Sequence, residues 1–302
     1  MTKPIRPDWI AVDWGTSNLR VWAMGSDRIL AEAASDEGMG GLVSSGFEPA
    51  LLRLISPWLG DGPVPVIACG MVGSRQGWHE APYRTVPCTP VEPGALVTVP
   101  TRDPRIQVRI APGLKQPSPA DVMRGEETQI AGALALTPNF DGVFCLPGTH
   151  SKWVHVSAGE VVSFQTFMTG EMFALLSRQS VLRHGMLGDG WDDAAFDQGL
   201  SEALSRPERL GAKLFSLRAE GLIAGLGPAA ARARLSGLLI GVELAAAKPY
   251  WLGQSVALIG ADALSRAYAR ALAAQGVTAR ILPGHECTLA GLASLARQTE
   301  KT

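Results

Sequence analysis

Six residues near the start of the chain have the types and spacing needed to handle a phosphate: Asp13, Gly15, Thr16, Ser17, Asn18 and Arg20. Gly15 lets a ligand approach the backbone closely, the next three residues offer hydroxyl and amide donors, and successive N–H groups of a tight turn form an anion-binding concavity. Arg20 adds a planar cation that pairs with phosphate oxygens. A carboxylate beside such a cradle is repulsive unless a cation stands between them. Mg²⁺ with retained waters suits one carboxylate plus phosphates, which makes Asp13 the candidate for holding Mg²⁺ through water. The flanking residues supply the positioning element. Trp9, Ile10 and Val12 before the glycine, and Leu19, Val21 and Trp22 after it, favour strands, so 9–24 reads as a hairpin with its small residues at the tip.

The layout recurs at 143–167: strand, a Gly148-Thr149-His150 turn, strand, a turn at Ala158-Gly159, third strand. A third strand also follows the first hairpin. Two three-stranded meanders, each with a Gly-Thr turn, imply an internally duplicated chain whose halves face one nucleotide. His150 could act as a base, a phosphate donor or a structural hydrogen bonder. With no Ser nucleophile and no metal-ligand spacing, a hydrolase triad and a zinc site are disfavoured, which leaves His150 near the phosphates without a catalytic role. Lys152 follows on the strand, facing either substrate or solvent.

Between the two meanders, 49–59 reads as a helix that Pro57 kinks or ends, and 65–70 as a short buried strand running into GMVGSRQGW. Open α/β folds place ligand contacts at such strand ends, and Ser74, Arg75 and Trp78 are the side chains there with something to offer a sugar acid. The proline-rich 82–119 reads as an irregular connection or a small insert. From Ser118 to Leu136 the pattern turns helical, with Gly125 and Glu126 marking an opening turn where the helix dipole favours a carboxylate anion. In the second half, helices are expected from Thr169, at 192–205, at 208–219 and, apolar nearly all round, at 229–248. A strand at 256–260 runs into Gly260-Ala261 and a helix, and 277–282 and 287–297 close the chain as strand and helix.

DWGTSNLR resembles the first phosphate loop of the sugar-kinase, actin and Hsp70 superfamily, and PGTH resembles its second. The order MVGSRQGW, MRGEETQ, PGTHSKW, FMTGE is similar, over nearly the whole chain, to that of the 2-dehydro-3-deoxygalactonokinase family. The resemblance implies an α/β, duplicated actin-like ATPase (ribonuclease H-like) fold, with two lobes of mixed sheets and a nucleotide cleft between them. Residues 1–136 would form the lobe with the first phosphate loop and substrate-binding elements. Residues 137–302 would hold the second phosphate loop and the adenosine element at Gly260 and Ala261. The implied reaction is ATP- and Mg²⁺-dependent phosphorylation of 2-dehydro-3-deoxy-D-galactonate to its 6-phosphate, in galactonate catabolism. Arg20 would then stabilise the γ-phosphate. Related kinases open the helix before the second phosphate strand with Gly-Asp, the Asp being the general base, whereas this chain has Gly125-Glu126. The departure puts the base at Glu126 or Glu127, neighbours that point about 100° apart on a helix so that one faces the substrate; Glu126 is the choice. Arg75 and Arg124 are the candidates for the substrate carboxylate, with Ser74, Trp78 and Lys152 completing the substrate set.

The 302 residues are enough for a duplicated core, and 27 basic against 28 acidic residues, scattered along the chain, leave no electrostatic footprint for nucleic acid. Cys69, Cys88, Cys145 and Cys287 lie far apart without a CxxC pair and read as reduced. No long apolar run or leader pattern appears, so the expectation is a soluble cytoplasmic protein whose partners are a sugar acid and ATP, without membrane or nucleic acid; a homodimer is compatible with this. The rivals are a kinase for another sugar or sugar acid and an actin- or Hsp70-type nucleotide switch, whose partner surfaces would normally add chain. A sugar-responsive repressor would need a helix-turn-helix ahead of Asp13, where there is no room.

Overall fold

The computed structural model describes residues 5–26 and 28–299. It divides into two compact units, one made of Met1–Phe140, Ser157–Ser163 and Gly284–Thr302, the other of Asp141–Val156 and Phe164–Pro283. The division is therefore not a single cut near 136. The chain re-enters the first unit twice, and its C-terminal segment, expected in the second lobe, packs there.

In the first unit β1 (Trp9–Trp14) and β2 (Leu19–Met24) form the expected hairpin, with Asp13 opposite Arg20. β3 (Ile29–Ser35) pairs with β2. Helix α1 (Phe47–Ile55) stops ahead of Pro57, which lies in a short 3₁₀ turn. β4 (Val64–Gly70) then lies parallel to β1.

The proline-rich region is more regular than expected. It holds β5 (Arg84–Thr85), β6 (Val97–Val99), β7 (Ile106–Ile110) and β8 (Leu114–Pro117). β6 and β7 complete a six-stranded sheet, β3-β2-β1-β4-β7-β6. The helix expected from Ser118 begins only later. Ala120–Met123 is a strand, β9, paired antiparallel with β8 in a separate sheet β5-β8-β9, and α2 (Glu126–Leu136) starts after Gly125. Pro119 pushes Ser118 out of the α region, and the β8 backbone is there to pair with.

The second unit repeats the plan. β10 (Gly142–Leu146), β11 (Ser151–Ser157) and β12 (Glu160–Phe167) form a meander whose second turn has both Ala158 and Gly159 at positive φ, as a primed hairpin turn requires. Helices α3 (Thr169–Arg178), α4 (Asp193–Ser205), α5 (Leu210–Ile223), α6 (Pro228–Ala246) and α7 (Lys248–Trp251) follow. β13 (Val256–Gly260), α8 (Asp262–Ala273) and β14 (Arg280–Pro283) complete the unit. The strand order β12-β11-β10-β13-β14, with β13 parallel to β10, matches β3-β2-β1-β4-β7 position for position. The duplication inferred from two turns is thus a duplication of topology.

The last helix, α9 (Gly284–Thr299), belongs to the first unit, where it covers one face of the six-stranded sheet. Leu292 and Leu295 pack on Trp9, Ala11, Trp22 and Ile67, while Phe47, Leu51 and Ile55 of α1 pack on Ile10, Val12 and Trp14 from the opposite face. In the second unit α6 is buried along its centre, as its all-round apolar pattern requires. Cys69, Cys145 and Cys287 are buried free thiols. Among the described residues no helix is long and apolar enough to cross a membrane.

Candidate active site

The tip of the first hairpin is closed by the Gly15 N–H donating to the Asn18 carbonyl at 2.9 Å, which leaves Thr16, Ser17 and Asn18 exposed. Behind it lies a support from residues 38–41, which was not singled out in the sequence. Met39 and Gly40 donate N–H groups to the carbonyls of Gly15 and Thr16, and a Cβ on Gly38 would meet the Thr16 carbonyl oxygen at 2.3 Å. The run of glycines at 38–41 was the available signal.

Asp13 and Arg20 are an ion pair, Arg20 Nη2 to Asp13 Oδ2 at 2.5 Å, with side-chain exposures of 15 % and 43 %. Burial pushes the Asp13 carboxyl above its usual range and the Arg20 charge offsets part of that.

Gly70, at the end of β4, connects this pair to the start of α2. Its φ of 92° and a would-be Cβ only 2.6 Å from the Trp14 carbonyl oxygen admit glycine alone. That same Cβ position is 3.6 Å from Asp13 Oδ1, and the Cβ position of Gly125, also at positive φ, is 3.2 Å from Gly70 Cα. Three stretches far apart in sequence therefore meet at the ends of β1 and β4: Asp13 with Arg20, Gly70, and Gly125-Glu126.

The two carboxylates of α2 then separate. Glu126 is half-buried and its Oε2 accepts the Arg124 N–H at 3.0 Å. Glu127 is 0 % exposed, accepts the Gly125 N–H at 2.7 Å, and is pushed up to about 8 by burial first and by the charge of Glu126 second.

The remaining first-unit candidates differ in setting. Arg75 is 82 % exposed and reaches Glu80 at 3.7 Å. Trp78 stacks on Phe47 and meets Trp14 edge-on, so packing accounts for it. Arg124 is buried, donates from Nη2 to the Ala81 carbonyl at 2.7 Å and lies 4.3 Å over the Tyr83 ring. Its Nε and Nη1, and the buried Ser74 hydroxyl, have no hydrogen-bond partner among the described residues.

In the second unit Gly148, Thr149 and His150 form the β10–β11 turn, and the N-terminus of α3 is pressed against it. A Cβ on Gly170 would lie 2.2 Å from the Gly148 carbonyl oxygen, Glu171 donates its N–H to the Thr149 carbonyl at 2.9 Å, and His150 Nε2 is 2.6 Å from Glu171 Oε2. A helix N-terminus abutting a phosphate-type loop places further N–H groups and a positive dipole end beside it. Lys152 is buried and donates to the Thr166 hydroxyl at 3.1 Å.

A cavity of about 820 Å³ adjoins Gly148 and Thr149 and is walled by α3, α6 and α8, including Phe173, Arg232, Ser236, Leu264 and Ala267. Gly260 stands at the head of α8, its Cβ position 3.6 Å from the Pro147 carbonyl oxygen, so the strand-Gly-helix element expected to serve adenosine does border the second turn.

Below it lies a network the sequence reading did not find. Glu243 of α6 accepts from Trp153 Nε1 at 2.8 Å, from Tyr268 at 2.7 Å and from the Thr169 hydroxyl, and burial raises its carboxyl. A single Glu in an otherwise apolar helix centre was its only trace.

Comparison with known proteins follows the same lines. The model of the family described as 2-keto-3-deoxy-galactonokinase matches residues 13–295. The chain is 40% identical over 297 residues to a probable 2-dehydro-3-deoxygalactonokinase of Rhizobium meliloti, covering 96% of each. It is 34% identical over 291 residues to the 2-dehydro-3-deoxygalactonokinase of Escherichia coli, covering 95% and 97%. A crystal structure of a Sinorhizobium meliloti protein assigned as a 2-dehydro-3-deoxygalactonokinase matches with a TM-score of 0.89 at 40% identity, over 96% of this chain and 99% of that one. The activator of 2-hydroxyisocaproyl-CoA dehydratase from Clostridium difficile, solved with ADPNP, shares the fold alone, at a TM-score of 0.52 and 11% identity over 97% of each chain. The fold is the duplicated actin-like ATPase fold.

Proposed function

The chain belongs to the 2-keto-3-deoxy-galactonokinase family, and from that premise we propose that it moves the γ-phosphate of ATP to the 6-hydroxyl of 2-dehydro-3-deoxy-D-galactonate, with Glu126 as base. The observation that supports the residue roles is the meeting at Gly70, whose Cβ position is 3.6 Å from Asp13 Oδ1 and whose Cα is 3.2 Å from the Cβ position of Gly125, the residue before Glu126. Phosphoryl transfer asks for positioning and charge neutralisation, and these groups supply both. Glu126, half-buried rather than sealed, takes the hydroxyl proton as the sugar oxygen bonds to phosphorus and the bond to the ADP oxygen breaks. Arg20 meets the charge on the transferring group.

Asp13 offers one hard oxygen donor, a fit for Mg²⁺ held through water with its other positions left to phosphate oxygens and solvent. Bound there, Mg²⁺ would neutralise phosphate charge. The N–H groups at Thr16 to Asn18, with Gly15 leaving room for the ligand, and those at Gly148 to His150 bind phosphates, and the cavity beside Gly148, walled in part by the helix that follows Gly260 and Ala261, takes the adenosine. Ser74 and Arg124, with buried polar atoms unpartnered, and the exposed Arg75 are the groups for the sugar acid. Lys152 acts from within the sheet and Trp78 by shaping the wall.

A coupled ADP-release screen over 2-keto-3-deoxy sugar acids and their parent sugars tests the activity, and turnover of none of the acids overturns it. Glu126→Gln is expected to lower kcat by about 10² to 10⁴ while sugar-acid binding persists. Wild-type turnover in that variant refutes the base.

A further inference from the structure

Two glutamates open α2, and only Glu126 has a role in the reaction above. Glu127 is placed to serve it. Its Oε2 accepts the Gly125 N–H at 2.7 Å, its Oε1 accepts the Thr128 hydroxyl at 3.2 Å, and none of it reaches solvent. Gly125 has a φ of 102°, the conformation that turns the chain from Arg124 into the helix and lays it on Gly70. One buried side chain therefore closes the turn whose next residue is the proposed base. We propose that Glu127 is a positioning residue: its buried carboxyl, accepting the Gly125 N–H, holds the Arg124–Gly125–Glu126 turn closed and aims Glu126. The inference rests on the reading of Glu126 as base.

The surroundings favour the neutral form at pH 7. Burial and the adjacent Glu126 push the Glu127 carboxyl up to about 8, against the smaller opposing pull of backbone N–H groups and Arg124. β4 presents Cys69, a buried thiol held well above its usual range by burial and by the charges of Asp13 and Glu127. From α9, packed along α2, Cys287 is pushed up to about 11 and is neutral as well. An anion at Glu127 strengthens the bond from the Gly125 N–H but adds a second negative charge beside Glu126 from a side chain with no solvent contact of its own, and like charges repel there.

Glu127→Gln reproduces the acceptor and a donor but cannot ionise. Its kcat at pH 7 should stay within about fivefold of wild type, the scale of weakening one hydrogen bond. The wild-type kcat should fall as pH rises through about 8, and the Gln variant should lose that alkaline limb. Glu127→Leu removes the acceptor, and kcat should fall by about 10- to 100-fold with KM for ATP little changed, the cost of a misplaced base. Thermal melts at each pH separate these effects from unfolding. A purely structural role would lower the melt and leave the pH profile in place, and a Gln variant with the wild-type limb, or a Leu variant with wild-type kcat, overturns the proposal. A Gln variant that is dead with an unchanged melt also overturns it, by making Glu127 the base. Glu126→Gln run alongside keeps the two readings apart: wild-type kcat there sinks the base assignment, whereas failure of the Glu127 arms with Glu126→Gln inactive sinks the positioning role alone.

Discussion

Asp13 and Arg20 face each other across β1 and β2 because the backbone register sets them there, and Trp14, Leu19 and Val21 bury the hairpin without help from either charge. Asp13→Ala should therefore keep a near-native melt while kcat falls by about 10²-fold or more, the scale of losing one preorganised electrostatic partner of the transition state. Assay over a Mg²⁺ titration checks this, and full recovery at high Mg²⁺ would show that the carboxylate only concentrates the ion. At this scale the sequence displayed residue types and the order of motifs, and these put forward Asp13, Arg20 and Gly125-Glu126 as candidates. It did not display surroundings. Arg75 and Arg124 read as equivalents, yet one is in solvent and the other sits over Tyr83 with two N–H-bearing nitrogens unpartnered. Glu126 was preferred to Glu127 for its place after Gly125, where the resembling kinases carry Gly-Asp, and the structure separates the two by burial.

Elements matter here where two of them touch without side chains between. α3 begins against the second turn, and at Gly170 the approach leaves no room for a methyl group beside the Gly148 carbonyl. Gly170→Ala must shift either the helix start or the turn, overpacking that costs about 1–3 kcal/mol. If the turn yields, ATP affinity should drop by about tenfold, equivalent to 1.4 kcal/mol, with sugar-acid binding unchanged. Calorimetric titration of each ligand decides it, and unaltered ATP affinity would remove the turn from the phosphate site. Local patterns of two and 3.6 residues made most elements legible, α6 and both meanders among them. They failed at 118–123, where Ala120–Met123 folds straight back on β8 across Ser118-Pro119, a tight hairpin that a helical-looking stretch conceals.

Among the described residues three carboxyls lie in places that disfavour their charge, Asp13 and Glu127 in one unit and Glu243 in the other. All three have folded-state values above the unfolded one, so above the ordinary carboxylate range, and for Glu127 up to about 8, the native state binds more protons than the unfolded state. Stability is then fully present at acid pH below that window and declines as pH rises through it. The melting temperature should fall from pH 5 to 8, and Glu127→Gln should flatten the slope; a melt that rises over that interval refutes the sign. At this scale the duplication was visible in sequence because each half carries its own hairpin signature. The division into units was not, because membership depends on which segments touch. The C-terminal α9 seals one face of the sheet that begins at Trp9, and its Gly291 comes so near Thr128 of α2 that a Cβ there would lie 1.9 Å from the Thr128 carbonyl oxygen. A growing chain therefore emerges from the ribosome with its first sheet uncovered and must wait for Gly284–Thr299 before that core is complete. Nascent-chain chaperones would meet exposed Trp9, Trp22 and Ile67 throughout synthesis, and an early stop codon at 284 would strip a wall from the N-terminal core rather than shorten a tail.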